Sequence, residues 1–266
     1  MRSWSRGMGD LLDELAYNTK KRIRDGYYDI PKTILTTRRD LRKAIVECKN
    51  IPIIAEVKFA SPAHGTIRHR TDPSLIAKAM ERGGAVAISV LTEPEHFNGS
   101  LESLELIRKA VSVPILMKDI VLSKKQVDAA AALGADAVLL IMTIFTRGYG
   151  ETSLGDMIDY ISKKGLQTLL EVHTENELMA ALQTKAELIG INNRDLTTMQ
   201  VDLSVSERLL KKVDVKDKII ISESGIAHPQ HIARLRKLGV NAFLVGTSIM
   251  QADDIEAKVR ELVTPA

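Results

Sequence analysis

Residues 114–141 read PILMKDIVLSKKQVDAAAALGADAVLLI, and this stretch contains the unit from which the rest of the chain is built. Pro114–Met117 is an apolar run of strand length that ends in the charged pair Lys118-Asp119. Ser123 is placed to cap a helix over Lys124–Leu133, and Gly134 stops it. Ala137–Ile141 is then apolar throughout, as a parallel strand covered on both faces must be. Working outward, further strands are predicted at Ile51–Val57, Ala85–Leu91, Thr168–Val172, Leu188–Ile191, Lys218–Ser222 and Ala242–Val245, which makes eight in all. Helices fall between them: Thr71-Asp72-Pro73 opens Ser74–Arg82, Thr174-Glu175 opens Asn176–Gln183, and His228-Pro229 opens Gln230–Leu238. The phrases LGADAVLL (133–140) and LGVNAFLV (238–245) each join a helix end, a glycine stop and a new buried strand.

Strict alternation of strand and helix predicts a parallel sheet covered by helices, and eight units predict its closure into a (β/α)8 TIM barrel. The expectation is one domain over residues 1–266, in which residues 1–50 form an N-terminal helical extension. Asp10–Arg24 and Arg39–Cys48 read as amphipathic helices packed over one end of the barrel.

Composition excludes several classes of function. Hydrophobic residues make up 45% and charged residues 27%, the balance of a globular protein with a large core. The longest apolar run, around Ala137–Met142, is far too short to span a membrane, and the opening MRSWSRGMGDLLDEL lacks the apolar stretch of a secretory leader. Net charge is only +3 with both signs interspersed, so no nucleic-acid surface is expected, while a small anionic ligand suits the mild positive bias. The single cysteine, Cys48, excludes an internal disulfide and a cysteine-based metal cluster, and it fits a reducing, cytoplasmic setting. The expected oligomeric state is a monomer or weak homodimer.

Polar chemistry sits at the ends of the apolar strands. Glu56 and Lys58 close the first strand on one face, Lys118-Asp119 the third, Asn192-Asn193-Arg194 the sixth and Glu223-Ser224-Gly225 the seventh, while Glu171 lies within the fifth. A single charge there reads as a strand stepping into solvent. Five strands carrying such groups converge on one mouth, where active sites of this fold lie. Lysine and glutamate set in apolar strands are also desolvated, which shifts their proton affinities toward acid–base use. Ser224-Gly225 and Gly246-Thr247-Ser248 follow strands seven and eight, the positions at which this fold cradles phosphate.

At these residues the chain resembles the indole-3-glycerol-phosphate synthase family. The resemblance is carried in order by IIAEVKFASPAHG (53–65), SVLTEPEHFNGSLE (89–102), residues 114–141, LLEVH (169–173), IGINNRDLTT (189–198), ISESGI (221–226) and NAFLVGTSIM (241–250). It implies conversion of 1-(2-carboxyphenylamino)-1-deoxyribulose 5-phosphate to indole-3-glycerol phosphate, with loss of carbon dioxide and water and with no metal or organic cofactor. It also implies roles. Lys118 is the acid at the ketone, Glu171 either orients that lysine or handles the aniline proton, and Lys58 with Glu56 is a second acid–base pair suited to dehydration, the assignment of pairs to steps being left open by sequence. Asn192 and Glu223 hold substrate hydroxyls, Ser61 and Arg194 meet the carboxylate or phosphate, and Phe97 packs near the ring. Ser224, Gly225, Gly246 and Thr247 form the phosphate cradle. Where the family often has an aromatic residue after Lys-Asp, this chain has Ile120. The segment Thr146–Thr152 (TRGYGET) has no clear counterpart and reads as a mobile loop, and His228 and His231 read as exposed capping residues.

Three other readings stay open. A phosphoribosylanthranilate isomerase would need a catalytic cysteine near the start of the barrel, a setting Cys48 lacks. A Schiff-base aldolase would use Lys58 or Lys118 as a free amine. A non-catalytic metabolite sensor would keep the phosphate loops and lose the acid–base set, which here is complete.

Overall fold

The computed structural model describes residues 9–31, 37–215 and 217–265. Eight strands close into a parallel barrel: β1 (Ile53–Val57), β2 (Ala87–Leu91), β3 (Ile115–Lys118), β4 (Ala137–Ile141), β5 (Gln167–Val172), β6 (Leu188–Asn192), β7 (Ile219–Glu223) and β8 (Ala242–Val245). Each pairs with its sequence neighbours, and β8 returns to β1 through Ile53 opposite Phe243 and Ala55 opposite Val245. The predicted strands are all present, with ends shifted by a residue or two, because the strand begins only where ladder bonds do.

The six predicted helices are present as α1 (Leu11–Arg24), α2 (Leu41–Glu47), α3 (Pro73–Arg82), α5 (Lys124–Ala132), α7 (Glu175–Leu182) and α9 (Pro229–Arg236), and the structure adds four that the sequence reading did not place, α4 (Leu101–Ala110), α6 (Leu154–Lys163), α8 (Ser204–Lys212) and α10 (Ile255–Val263). Their caps explain their starts. Asp10, Ser123 and Thr174 each close a capping box, and Pro73 follows the Asp72 cap. Three short turns of helix, Pro94–Phe97, Met142–Thr146 and Thr247–Met250, and a hairpin of Ala60–Ser61 with Gly65–Thr66 are additional to the sequence expectation. All lie after strand ends, where apolar periodicity is too short to register.

Two bodies of apolar side chains stabilise this shell. One fills the space between strands and helices, with Ile88, Ile115, Val138, Leu170 and Phe243 fully buried. The other fills the barrel, with Ile54, Leu116, Leu169, Leu188 and Ile221 at its centre. That second body leaves an apolar face at each end, and the N-terminal helices cover them. Leu11, Leu12 and Leu15 of α1 join it at the mouth. Leu41 and Ile45 of α2 join it at the base, where the Leu41 N–H donates to Gln167 Oε1 at the start of β5 (2.5 Å). The extension therefore spans both ends and does not sit over one, as its sequence suggested. Each amphipathic stripe goes to a separate open end of the barrel, and a single end would have left the other wet.

Thr146–Thr152 also departs from expectation, being tied down along its length. The Arg147 guanidinium pairs with Asp10 (2.6 Å) and Asp13 (2.7 Å), and the Tyr149 hydroxyl donates to Asp13 (2.7 Å). Glu151 accepts from Ser123 Oγ (2.7 Å) and the Lys124 N–H (2.6 Å) at the start of α5. The segment carries its own charges and α1 supplies the partners, which no local reading of TRGYGET could reveal. Among the described residues no helix is long and apolar enough to cross a membrane.

Candidate active site

The strand ends open into a cavity of about 350 Å³ at the C-terminal mouth, and every candidate residue read from the sequence lines it: Glu56, Lys58, Ser61, Phe97, Lys118, Glu171, Asn192, Arg194, Glu223, Ser224, Gly225, Gly246 and Thr247. Lys118 ends β3 and reaches across the barrel. Its Nζ donates to Glu171 Oε2 (3.2 Å) and lies 3.5 Å from Glu223 Oε2. Burial opposes the ammonium, but Glu171, Glu223 and Glu56 outweigh it and hold Lys118 well above the ordinary lysine range.

The two carboxyls beside Lys118 behave differently. Burial also opposes ionisation of Glu171, yet Lys118, His173 and the Asn192 amide together hold it well below the usual carboxylate range. Asn192 Nδ2 donates to Glu171 Oε1 at 3.1 Å. Glu223 is 1% exposed and neither of its oxygens accepts a hydrogen bond, so burial and the neighbouring Glu171 push it up to about 8 despite Lys118. Register explains the closeness: Glu171 stands opposite Gly190, and Asn192 opposite Glu223. Gly190 leaves the room, since a β-carbon there would fall 2.1 Å from Glu223 Oε1.

Glu56 and Lys58 form a separate pair, Nζ to Oε1 at 2.7 Å, with the carboxylate 3% exposed in β1. Gly246 faces it, where a β-carbon would come within 2.6 Å of Glu56 Oε1. Arg194 is fixed by its Nη1 donating to the Met199 carbonyl (2.8 Å), and Ser61 Oγ lies 3.2 Å from His64 Nδ1. After β7, Ser224 (φ 65°) and Gly225 (φ 83°) both take left-handed backbone, a tight turn that glycine tolerates and serine pays for. Asn193, which the sequence reading assigned no role, holds that turn. Its Nδ2 donates to Ser222 Oγ (2.9 Å) and to the Glu223 (2.8 Å) and Ser224 (3.1 Å) carbonyls. The first turn after β8, Thr247–Met250, starts beside it with Gly246 at the cap.

Apolar surface lines the opposite side: Phe97, Ile120, Leu139 and Ile141, roofed by Leu11, Leu12 and Leu15 of α1. Sequence reasoning missed the helix leucines because nothing local links them to the mouth. It also missed Glu93, which is fully buried and accepts the N–H groups of Glu95 (3.2 Å), His96 (2.7 Å) and Phe97 (3.1 Å). The Glu-Pro pair at 93–94 is a helix-start signal that could have found it. Glu93, Glu95 and His96 bring ligand atoms within 4.8 Å of one another, but Arg22 Nη1 lies 3.0 Å from both carboxylates and already supplies the cation.

The two exposed-histidine expectations fare unevenly. His228 is exposed at the start of α9 but its side chain makes no cap bond, whereas His231 Nδ1 accepts from the Ala227 N–H at 3.4 Å and is half-buried. The His231 N–H, third in the helix, instead donates to the His228 backbone carbonyl at 3.0 Å. Cys48 ends α2 on the base side and does not line the mouth cavity.

A family model for indole-3-glycerol phosphate synthase matches residues 18–262. A protein of that name from Methanocaldococcus jannaschii is 40% identical over 270 aligned positions, covering 95% of this chain and 98% of its own. Another from Desulforamulus reducens is 42% identical, covering 86% and 85% respectively. Among solved structures, an N-acetylmannosamine-6-phosphate 2-epimerase from Clostridium perfringens superposes with a TM-score of 0.58 at 18% identity, covering 81% of this chain and 93% of its own, a likeness of fold alone.

Proposed function

The chain belongs to the indole-3-glycerol phosphate synthase family, and from that premise we propose how its own side chains divide the reaction. The activity is that of a carboxy-lyase of tryptophan biosynthesis. It closes the indole ring of 1-(2-carboxyphenylamino)-1-deoxyribulose 5-phosphate and releases carbon dioxide and water. The observation that carries the assignment of roles is Lys118, a buried ammonium held between Glu171 and Glu223.

As the ring carbon bearing the carboxylate attacks the ketone, negative charge grows on the ketone oxygen, and Lys118 supplies the proton it needs. Glu171 keeps the ammonium charged and aimed. Loss of carbon dioxide then returns the electron pair to the ring. Departure of the hydroxyl as water needs a second acid and a base, and the Lys58–Glu56 pair stands ready at 2.7 Å. Each proton-transfer group contributes about 10²–10⁴-fold. Glu223 and Asn192 hold the substrate hydroxyls. Ser224, Gly225, Gly246 and Thr247 take the phosphate at the left-handed turn and the following helix start, with Arg194 and Ser61 for the remaining anion. Phe97, Ile120 and the α1 leucines sandwich the ring. The substrate is then the principal partner, the site needs no metal or organic cofactor, and the enzyme works as a cytoplasmic monomer or weak homodimer.

A lysine so firmly protonated is a poor nucleophile, which weighs against an imine mechanism. The test is turnover of the carboxyphenylamino-deoxyribulose phosphate, followed by the rise of indole fluorescence. Lys118→Met should abolish the signal with an unchanged circular dichroism spectrum. Undiminished turnover in that variant, or substrate trapped on the protein by borohydride, would show that Lys118 is not the general acid.

A further inference from the structure

His173 has no part in the steps above, although its ring is buried among charges beside the reacting groups. It follows β5 two residues after Glu171, on the same face of the chain. Its Nε2 lies 3.2 Å from Glu171 Oε1 and its Nδ1 3.8 Å from Glu177 Oε2, and neither nitrogen has hydrogen-bond geometry. Both carboxylates nevertheless lie close enough to favour the charged ring.

Glu177 is anchored at the far side. It accepts from Thr143 Oγ1 (2.5 Å) and from the N–H groups of His173 (2.8 Å) and Thr174 (3.3 Å), so it cannot swing away. Glu171 is thus flanked on both sides. Its Oε1 faces His173 and the Asn192 amide, and its Oε2 faces Lys118. Glu223 has Lys118 at 3.5 Å and no hydrogen bond of its own.

We propose that His173 is a positioning residue for ring closure: seated between Glu177 and Glu171, it holds the Glu171 carboxylate against Lys118 and so sets the duty of Glu171 apart from that of Glu223. Two carboxyls beside one ammonium in a buried site compete for it, and a second cation next to one of them decides the competition. The groups that act on the ring are Glu171 and Glu177, while the ring in turn acts on Asp195 and Glu223. Burial opposes its charge, but the two nearer carboxylates prevail and push it up to about 9, so it remains an imidazolium at neutral pH. The inference rests on Lys118 being the general acid, and its test separates the two.

In nitrogen-15 spectra of histidine-labelled protein, one ring should titrate near 9, be absent from His173→Gln, and fall by at least about one pH unit in Glu171→Gln. That readout needs no turnover, so it stands or falls apart from the ring-closure reading. In the turnover assay, His173→Gln should lower kcat roughly tenfold with KM changed less than about twofold, and move the acid limb of the kcat profile upward by about one unit. Glu177→Gln should move the limb the same way by less, and it serves if His173→Gln fails to fold. A ring titrating near 6.5 and unmoved in Glu171→Gln overturns the proposal, as does a slower His173→Gln enzyme with the parent's pH profile.

Discussion

Gly190→Ala tests the geometry of the site with one added carbon. Gly190 lies within β6, opposite Glu171 on one side and Ile221 on the other, and its φ is not in the left-handed region. Alanine can therefore take the same backbone. Its β-carbon would fall 2.1 Å from Glu223 Oε1, well over 1 Å short of ordinary contact at 3.4 Å. The barrel backbone on both sides is laddered, whereas the Glu223 carboxyl is held by no hydrogen bond, so the carboxyl moves. A displacement of that size at a reacting centre costs about 10²-fold in rate. Overpacking should cost roughly 1–3 kcal/mol, which for a chain of this length lowers Tm by about 2–5 °C. Lys118 keeps Glu171 at 3.2 Å, so the fold and the general acid survive while the carboxyl is misplaced. The assay is kcat and KM for the carboxyphenylamino-deoxyribulose phosphate beside a thermal melt. Turnover within about threefold of the parent would refute the reasoning, because a 1 Å tolerance is incompatible with Glu223 holding the substrate.

Glu223→Gln should show a pH-dependent gain in stability. The unfolded carboxyl releases its proton near 4.5 and the folded one only near 8, so the parent loses stability as pH rises across that window. The difference in Tm, variant minus parent, should therefore grow from pH 4.5 to 8 and then level, and a flat difference would contradict the burial argument. Arg22→Ala strands a buried carboxylate. Arg22 Nη1 stands 3.0 Å from Glu93, which is wholly buried, and loss of one partner of such a pair costs about 3–5 kcal/mol. Because Glu93 keeps three backbone N–H donors, we expect the lower end, read as a shifted urea midpoint at constant m. A loss below about 1 kcal/mol would show that Arg22 does not anchor α1 to the mouth.

Much of this protein was legible in one dimension. Apolar runs such as Ala137–Ile141, five residues long and bounded by glycine stops and capped helices, read as strands covered on both faces, and eight of them in strict alternation with helices favour the barrel over an open sheet. Strand period and strand end then placed Glu56, Lys58, Lys118, Glu171, Asn192 and Glu223 around one mouth, because residues at the C-terminal ends of barrel strands have nowhere else to go. The same period put His173 on the face of Glu171, although its meaning lay in Glu177 from the next helix.

What needed the tertiary structure is every relation between distant segments. Charges in TRGYGET gained meaning only when Asp10 and Asp13 arrived from α1, and Glu93 became a buried anchor only through Arg22. The two helices of the extension went to opposite ends because the barrel has two apolar ends, a property of the closed sheet and of no single strand. Sequence could place Lys118, Glu171 and Glu223 at one mouth, but it could not divide the protons among them. That division follows from burial, from a missing side chain at Gly190 and from distances of 3.2 and 3.5 Å, because proton affinity in a desolvated site is set by which charges stand nearest in space.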